Sequence, residues 1–287
     1  MQKKTTSTLL LAVFFIPLFL LVVSFPSLLL AQESESQSSQ VILQRQRLTE
    51  EIQDLEKQLL GQLNQYRQHE REYRIARDQY QSLQTLSSIE EVVSSTKKAM
   101  RSRNLVLDTY LNILRLKLLE TEGVELDHQE RALEIIEKHR QALGAYEQLI
   151  DQSQDREAIN LIADEFLSLG EEINNNSFYV LSILSIGRLQ SVYDKAVIIN
   201  QKISSEESEA EEAVLKQSQR NRAINEVNKL ITQLPPMFET VWSNAYISNR
   251  PSRQHESFYR NLTRELGPIH SRLSLLVSYF EELEGVK

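Results

Sequence analysis

A heptad repeat over residues 41–83 constrains the fold of this chain more than any other feature. With Ile52 at position a, the two seam positions of each heptad are apolar or aromatic except at Arg45, Gln62 and His69. The 3-4 spacing never slips, which predicts a long coiled-coil helix over about residues 40–86. Gln62 and His69 are expected to weaken the seam and fix its register. The seam residues are Arg45, Ile52, Leu59, Tyr66, Tyr73 and Tyr80 at a, and Val41, Leu48, Leu55, Gln62, His69, Ala76 and Leu83 at d.

The scarcity of turn residues extends this helical prediction to the rest of the chain. No proline occurs between Pro26 and Pro235, and the glycines in that interval are single and widely spaced. A β-rich protein needs turn residues about every 8–12 positions. The sequence therefore predicts an all-α fold, in which a coiled-coil helical hairpin over 41–122 is followed by a multi-helix bundle over 123–287.

Capping and stop signals divide the chain into predicted helices. A capping box at Ser88 and Glu91 opens the second helix, which turns back antiparallel on the first and stops at Gly123. The next two helices are predicted over 126–150 and, capped by Asp155, over 155–173. Three asparagines at 174–176 then predict a polar turn before a helix over 178–203. The first half of that helix is apolar on nearly every side, which predicts a central, buried position.

The remaining signals concern the last third of the chain. Ser204 and Glu207 form another capping box, and Pro235 with Pro236 is expected to end the helix that it opens. A short aromatic helix is then predicted as a lid over the bundle. The last helix, over 253–283, keeps one apolar seam across Gly267 and Pro268, so a single bent helix is expected.

The N-terminus has the character of an export signal. Lys3 and Lys4 precede an uncharged apolar run at 9–30, and Ala31 marks a cleavage point. Residues 1–31 are thus interpreted as a signal peptide or, uncleaved, as a membrane anchor. The polar residues 32–40 are predicted to be a flexible linker. Both interpretations place residues 32–287 outside the cytoplasm, where the absence of cysteine excludes disulfides.

Charge and motifs narrow the classes of function. The net charge of −8 and the lack of a cationic block argue against nucleic acid as a partner. No phosphate-binding glycine loop or nucleophile motif is present, so an enzyme and a bound cofactor are not expected. Two half-matched metal patterns, Glu125 with His128 and the acids at 151–157, lack the further ligands of a di-iron or calcium site.

Aromatic residues supply the candidate partner-binding positions. Tyr66, His69, Tyr73 and Tyr80 follow the seam of the first helix, and Phe238, Trp242 and Tyr246 lie on the short aromatic segment. Core packing is the preferred explanation of both groups, and docking to a partner is the alternative. The sequence leaves open whether they contact a partner protein or a second copy of this chain. Contact with a membrane is expected only from residues 9–30, if they are not cleaved.

The order of export signal, polar linker and long coiled coil resembles that of bacterial envelope proteins that recruit or activate cell-wall hydrolases. The resemblance covers about residues 1–120, and the chain then continues as helices where those proteins usually carry a hydrolase domain. Two functions are expected from the sequence. One is a non-enzymatic scaffold or interaction protein of the bacterial cell envelope, and the other is a helical ligand-binding or sensing domain with a pocket among its helices.

Overall fold

The described part of the chain is helical throughout, with no strand. A computed structural model describes residues 35–153, 155–205, 214–247 and 253–285. The signal or anchor segment, the first residues of the predicted linker and the acidic residues 206–213 lie outside these ranges. The helices are α1 (Glu35–Leu83), α2 (Leu86–Glu120), α3 (Leu126–Gln152), α4 (Arg156–Ser205), α5 (Val214–Ile247) and α6 (Arg253–Gly285). The prediction of an all-α fold is confirmed.

Helix α1 turns its predicted seam toward α2. Ile52, Gln62 and Ala76 are buried, whereas the off-seam Leu60 and Ile75 are 61% and 58% exposed. The other seam positions between Leu48 and Tyr80 are half-buried, and Leu83 at the end is exposed. The seam thus faces the body of the protein but is covered only in part.

The contacts between α1 and α2 run antiparallel and use long side chains. Lys117 donates to Glu56 at 2.6 Å, and Thr49 donates to Glu120 at 2.9 Å. The backbone of α1 stays farther from its neighbours than the backbones of the other helices do. The antiparallel direction agrees with the short loop, while the interlocked coiled-coil hairpin stays a prediction.

Two predicted boundaries of this pair are wrong. Helix α1 begins at Glu35, so residues 35–40 are helical rather than linker. Helix α2 begins at Leu86, because Thr85 rather than Ser88 is the N-cap and exchanges hydrogen bonds with Ser88 in the capping box. Gln84, at φ 50°, makes the turn between the two helices.

Helix α4 is one helix of 50 residues where the sequence predicted two helices and a turn. The asparagines at 174–176 are good turn formers, but neither proline nor glycine interrupts the chain there. Ile173 and Tyr179, on either side, are 1% and 0% exposed. The amide of Asn176 lies 2.8 Å from Nε2 of His139 on α3. Tertiary packing therefore overrides the local turn preference.

The first half of the predicted central helix is indeed central. Helix α4 packs against α2, α3, α5 and α6, and Ile183 and Ile186 are fully buried. The hydroxyls of Ser182 and Ser185 bond to carbonyls four residues earlier, so these polar side chains are satisfied within the helix. The main hydrophobic core is built around this segment.

Pro235 and Pro236 lie inside α5 and do not end it, contrary to the prediction. Proline has no N–H, so the carbonyl of Ile231, four residues before Pro235, loses its helical donor. The hydroxyl of Tyr193 on α4 donates to that carbonyl at 3.3 Å. The aromatic segment with Phe238 and Trp242 is accordingly the second half of α5. Helix α6 runs unbroken through Pro268, as predicted.

Replacing Tyr193 with Phe is expected to lower the free energy of unfolding by about 1–2 kcal/mol, because the half-buried Ile231 carbonyl would lose its donor. Urea denaturation followed by circular dichroism measures the change. Tyr279→Phe is the matched control, since its half-buried hydroxyl makes no hydrogen bond within the described ranges. Equal midpoints for the two variants would contradict the compensating role of Tyr193.

Candidate functional site: an acidic groove between the α2–α3 loop, α4 and α5

An open groove of about 740 Å³ lies where the loop between α2 and α3 meets α4 and α5. It is exposed to solvent along one side and is not an enclosed cavity. The loop contributes one wall, residues 190–194 of α4 a second and residues 235–243 of α5 a third. Its lining residues are Glu122, Gly123, Val124, Glu125, His128, Gln190, Tyr193, Asp194, Pro235, Phe238, Glu239, Trp242 and Ser243.

A glycine-to-glycine contact sets the position of the loop wall. A Cβ added to Gly123 would overlap the carbonyl oxygen of Gly187 and the amide nitrogen of Ser191, both in the backbone of α4. A Cβ on Gly187 would overlap the side chain of Val124. Gly123 was predicted as a helix stop, but α2 ends at Glu120 with Thr121 as its C-cap, and no glycine in the described residues has a positive φ. Glycine is needed at position 123 because the loop backbone and the backbone of α4 approach too closely for a Cβ atom.

Aromatic rings and an imidazole form the inner wall. Trp242 and His128 stack with ring centroids 4.9 Å apart and an interplanar angle of 25°. Nδ1 of His128 lies 3.2 Å from the Tyr179 hydroxyl, and the Tyr179 ring contacts His255 at 5.5 Å. Rings from α3, α4, α5 and α6 therefore meet behind the groove.

Two predicted partner-binding residues lie in this wall. Phe238 and Trp242 are 3% and 4% exposed, so they belong to the core and reach the groove with little surface. The indole Nε1 of Trp242 is buried and has no hydrogen-bond partner among the described residues. The side chain of Tyr246, the third aromatic residue predicted on this segment, lies outside the described residues.

The rim of the groove is acidic. Glu122, Glu125, Asp194 and Glu239 contribute four carboxyl groups, and no lysine or arginine lines the groove. Among the residues that the structure describes, Glu122 is the one of these four with an ion pair, with Arg45 of α1 and with Lys195 at 4.0 Å. Burial, and next the charge of Asp127, raises the pKa of Glu125. Because the other three carboxyl groups have no ion-pair partner among the described residues, the rim is expected to attract cations.

The half-matched metal patterns have other structural roles. The imidazole of His128 is engaged by Tyr179 and Trp242. Asp155 caps α4 as predicted, since its Oδ1 accepts from the backbone N–H of Ala158 at 2.8 Å. Asp151 pairs with Arg101 of α2. Among the described residues, no three His, Asp or Glu side chains are grouped to hold a metal ion.

The other predicted partner residues form a separate half-buried face on α1. Tyr66, His69, Tyr73 and Tyr80 share this face, as their heptad spacing requires. The guanidinium of Arg156, at the start of α4, lies 4.4 Å from the centroid of the Tyr80 ring. The groove is about 34 residues farther along α4, roughly 50 Å at 1.5 Å per residue. The structure therefore does not unite Tyr80 with Phe238 and Trp242.

Buried polar atoms mark the same seam. Both amide atoms of Gln62, Nδ1 of His69 and Nε of Arg77 are buried and have no hydrogen-bond partner in the described part of the chain. Burying such groups unpaired costs stability. Gln62 and His69, which the sequence analysis singled out, are thus among the described residues whose buried polar atoms lack a hydrogen-bond partner, together with Arg77, Asn104, Trp242 and His255.

Neither family models, nor curated proteins, nor solved structures yield a match to this chain. No helix in the described ranges has the length together with the apolar character needed to span a bilayer. The groove and the seam of α1 are therefore the two features of the molecule that bear on its function.

The buried histidines predict a loss of stability in mild acid. Burial lowers the pKa of His128, His139 and His255; Arg131 adds to this effect at His128 and Lys138 at His139, while Asp127 and Glu172 oppose it. The unfolded chain takes up protons near pH 6.5, whereas the folded protein resists them. Their contribution to stability is therefore complete above about pH 6.5 and is lost as the pH falls toward the lowered pKa values.

Urea midpoints measured between about pH 7.5 and about pH 5.5 should fall steadily. His255→Phe, which keeps a ring against Tyr179, should show a shallower fall. The raised pKa of Glu125 acts in the opposite direction, because a folded state that holds its proton more tightly gains stability as the pH falls. A midpoint that rises on acidification would contradict the burial of these imidazoles.

Proposed function

We propose that this protein is a non-enzymatic interaction protein, a scaffold of the bacterial cell envelope that holds partner proteins on helix faces outside the cytoplasm. The half-exposed seam of α1 carries the proposal. A heptad seam that is apolar or aromatic at most of its positions is built to be covered by helices, and here most of its positions between Leu48 and Tyr80 are only half-buried.

The unpartnered polar atoms on the seam support the same conclusion. If the seam served only the stability of this chain, Gln62 and His69 would be costly residues at its buried positions. Polar residues at seam positions are known to specify partner and register at the expense of stability. A partner helix laid along α1 would cover the half-buried tyrosines.

The alternative, a ligand-binding or sensing domain, calls for a largely enclosed apolar pocket with a few convergent polar groups. The groove of about 740 Å³ is of ligand size but open to solvent, and its rim carries four carboxyl groups. The core around α4 is filled by side chains with little or no exposure. These features favour binding of a macromolecule at the surface over enclosure of a small molecule.

Affinity purification of the full-length protein from membranes, followed by mass spectrometry, tests the proposal. The seam variant Leu59→Gln with Tyr73→Gln should lose partners that the wild type retains, because both changes fall on the half-buried face. The control Leu60→Gln with Ile75→Gln also removes two apolar side chains, but these are off the seam and more exposed. It should retain the same partners.

Circular dichroism of each variant confirms that its helices are intact. Partners kept by the seam variant, or lost equally by the control, would contradict binding through the seam.

A further inference from the structure

We infer that the buried contact between His255 and Tyr179 is a pH-sensitive attachment, and that protonation of His255 releases residues 255–261 of α6 from α4 while the core stays folded. This inference goes beyond the proposed function and does not depend on it, because it concerns α6 and not the seam of α1. It adds a conformational change that mild acid controls.

The attachment of the start of α6 is the first argument. His255 is 5% exposed, whereas the side chains of residues 256–261 are half-buried or exposed. The ring centroid of His255 lies 5.5 Å from that of Tyr179 on α4. The buried seam of α6 begins only at Leu262, which is 2% exposed. One buried side chain therefore holds this stretch, and the stretch can separate without breaking the seam.

The second ring contact of this stretch is weaker. Tyr259 lies 5.5 Å from Phe178 of α4, measured between ring centroids, and both side chains are half-buried. Separation of residues 255–261 therefore exposes less apolar surface than separation of the seam would. A local opening of the start of α6 is accordingly expected to cost less free energy than global unfolding.

The position of the imidazole is the second argument. Nδ1 of His255 is buried and has no hydrogen-bond partner within the described ranges. A protonated imidazole donates from both nitrogens, so this N–H would lack an acceptor. His255 is also the third residue of α6, where the positive end of the helix dipole disfavours a cation. Burial lowers the pKa of His255, in agreement with this geometry.

The groups that surround this imidazole do not offset its charge. The phenol of Tyr179 comes from α4, and His128 of α3 reaches the same hydroxyl with Nδ1 at 3.2 Å. Helix α5 contributes the uncharged ring of Trp242, which stacks on His128. The neighbouring charges on α6 are those of Glu256 and Arg260, which pair with each other at 2.6 Å. Protonation is therefore favoured in the released segment and resisted in the attached one.

The size of the effect follows from the proton that the released segment takes up. A histidine exposed to water is protonated near pH 6.5, whereas the attached His255 resists protonation. Lowering the pH from about 7.5 to about 5.5 should therefore raise the population of the released segment about tenfold.

Hydrogen–deuterium exchange of the full-length protein at these two pH values tests the inference, with each rate divided by the intrinsic rate at the same pH. The amides of residues 255–261 should be less protected than those of residues 269–276 at both values. Their protection should fall about tenfold at the lower pH.

Two variants assign this change to one side chain. His255→Phe keeps a ring against Tyr179 but cannot take up a proton, so the protection of residues 255–261 should no longer depend on pH. His270→Gln is the matched control, because His270 is exposed on the same helix. It should lose protection as the wild type does. If circular dichroism shows that His255→Phe does not fold, His255→Gln takes its place.

Three results would overturn the inference. Equal protection of the two segments at both pH values would show that the start of α6 opens only when the core unfolds. Unchanged protection of residues 255–261 in the wild type would show that acid does not release them. A loss of the same size in His255→Phe would assign the response to another group.

Discussion

Gly123→Ala is expected to lower the free energy of unfolding by about 3 kcal/mol or more, the upper range for forcing extra atoms into packed structure. The added methyl group would meet the backbone of α4 at Gly187 and Ser191, and backbone cannot move aside as a side chain can. The loop between α2 and α3 would have to separate from α4, which would also open the groove. Thermal and urea denaturation of the purified variant measure the loss.

Gly144→Ala is the matched control and should change stability in the opposite direction. Gly144 lies inside α3, and nothing outside its own helix turn is within 4 Å of a Cβ added there. Alanine is favoured over glycine in a helix by about 1 kcal/mol. Similar midpoints for the two alanine variants would contradict the close contact between Gly123 and Gly187.

Leu184→Ala is expected to cost about 2–5 kcal/mol through lost burial and the cavity left behind. Leu184 is 4% exposed, in the segment of α4 around which the core is built. A loss of this size is a large fraction of the ~5–15 kcal/mol that stabilises a typical domain. Chemical denaturation reports it as a lower midpoint.

Lys57→Ala provides the comparison for an exposed position on α1. Lys57 forms an ion pair with Asp54 at 3.0 Å, and both side chains are about three-quarters exposed. Its replacement should cost under about 0.5 kcal/mol. If Leu184→Ala and Lys57→Ala had the same midpoint, this face of α4 would be a docking surface rather than the core.

Periodicity and the lack of proline were sufficient to predict the helices and several of their faces. The seam of α6 is the clearest case, since Leu262, Ile269, Leu273 and Leu276 are all buried as their spacing indicates. A helix that is buried along one face has apolar residues at a regular spacing, and this spacing can be recognised in the sequence. The antiparallel direction of α2 against α1 could be predicted for a different reason, because a loop this short allows the second helix only to turn back along the first.

Signals for helix ends were less reliable, because tertiary contacts outweighed them. The three asparagines at 174–176 stay helical between buried residues and the side chain of His139. The two prolines lie inside α5, and Tyr193, 38 residues earlier in the sequence, supplies a donor to the Ile231 carbonyl that Pro235 frees. Neither compensation is visible from the residues next to the break.

The groove could not be predicted, because its residues are far apart in the sequence and follow no pattern. Glu125 stood out only as part of a half-matched metal pattern, and Glu122, Asp194 and Glu239 did not stand out at all. The sequence feature that came closest to indicating the groove was the isolated Gly123, between Glu122 and Glu125. Gly123 resembled a helix stop, whereas the structure uses it to bring the loop against α4.

Hydrogen–deuterium exchange of the free, full-length protein compares the two parts of the molecule directly. If α1 is an interaction helix and α4 the core, the amides of residues 48–80 should exchange through local opening, well before those of residues 179–186. The physical reason for the difference is that the seam of α1 is only half-buried at most of its positions and contains buried polar atoms without hydrogen-bond partners among the described residues. Equal protection of the two segments, lost together in one global unfolding event, would show instead that α1 is an integral part of the core.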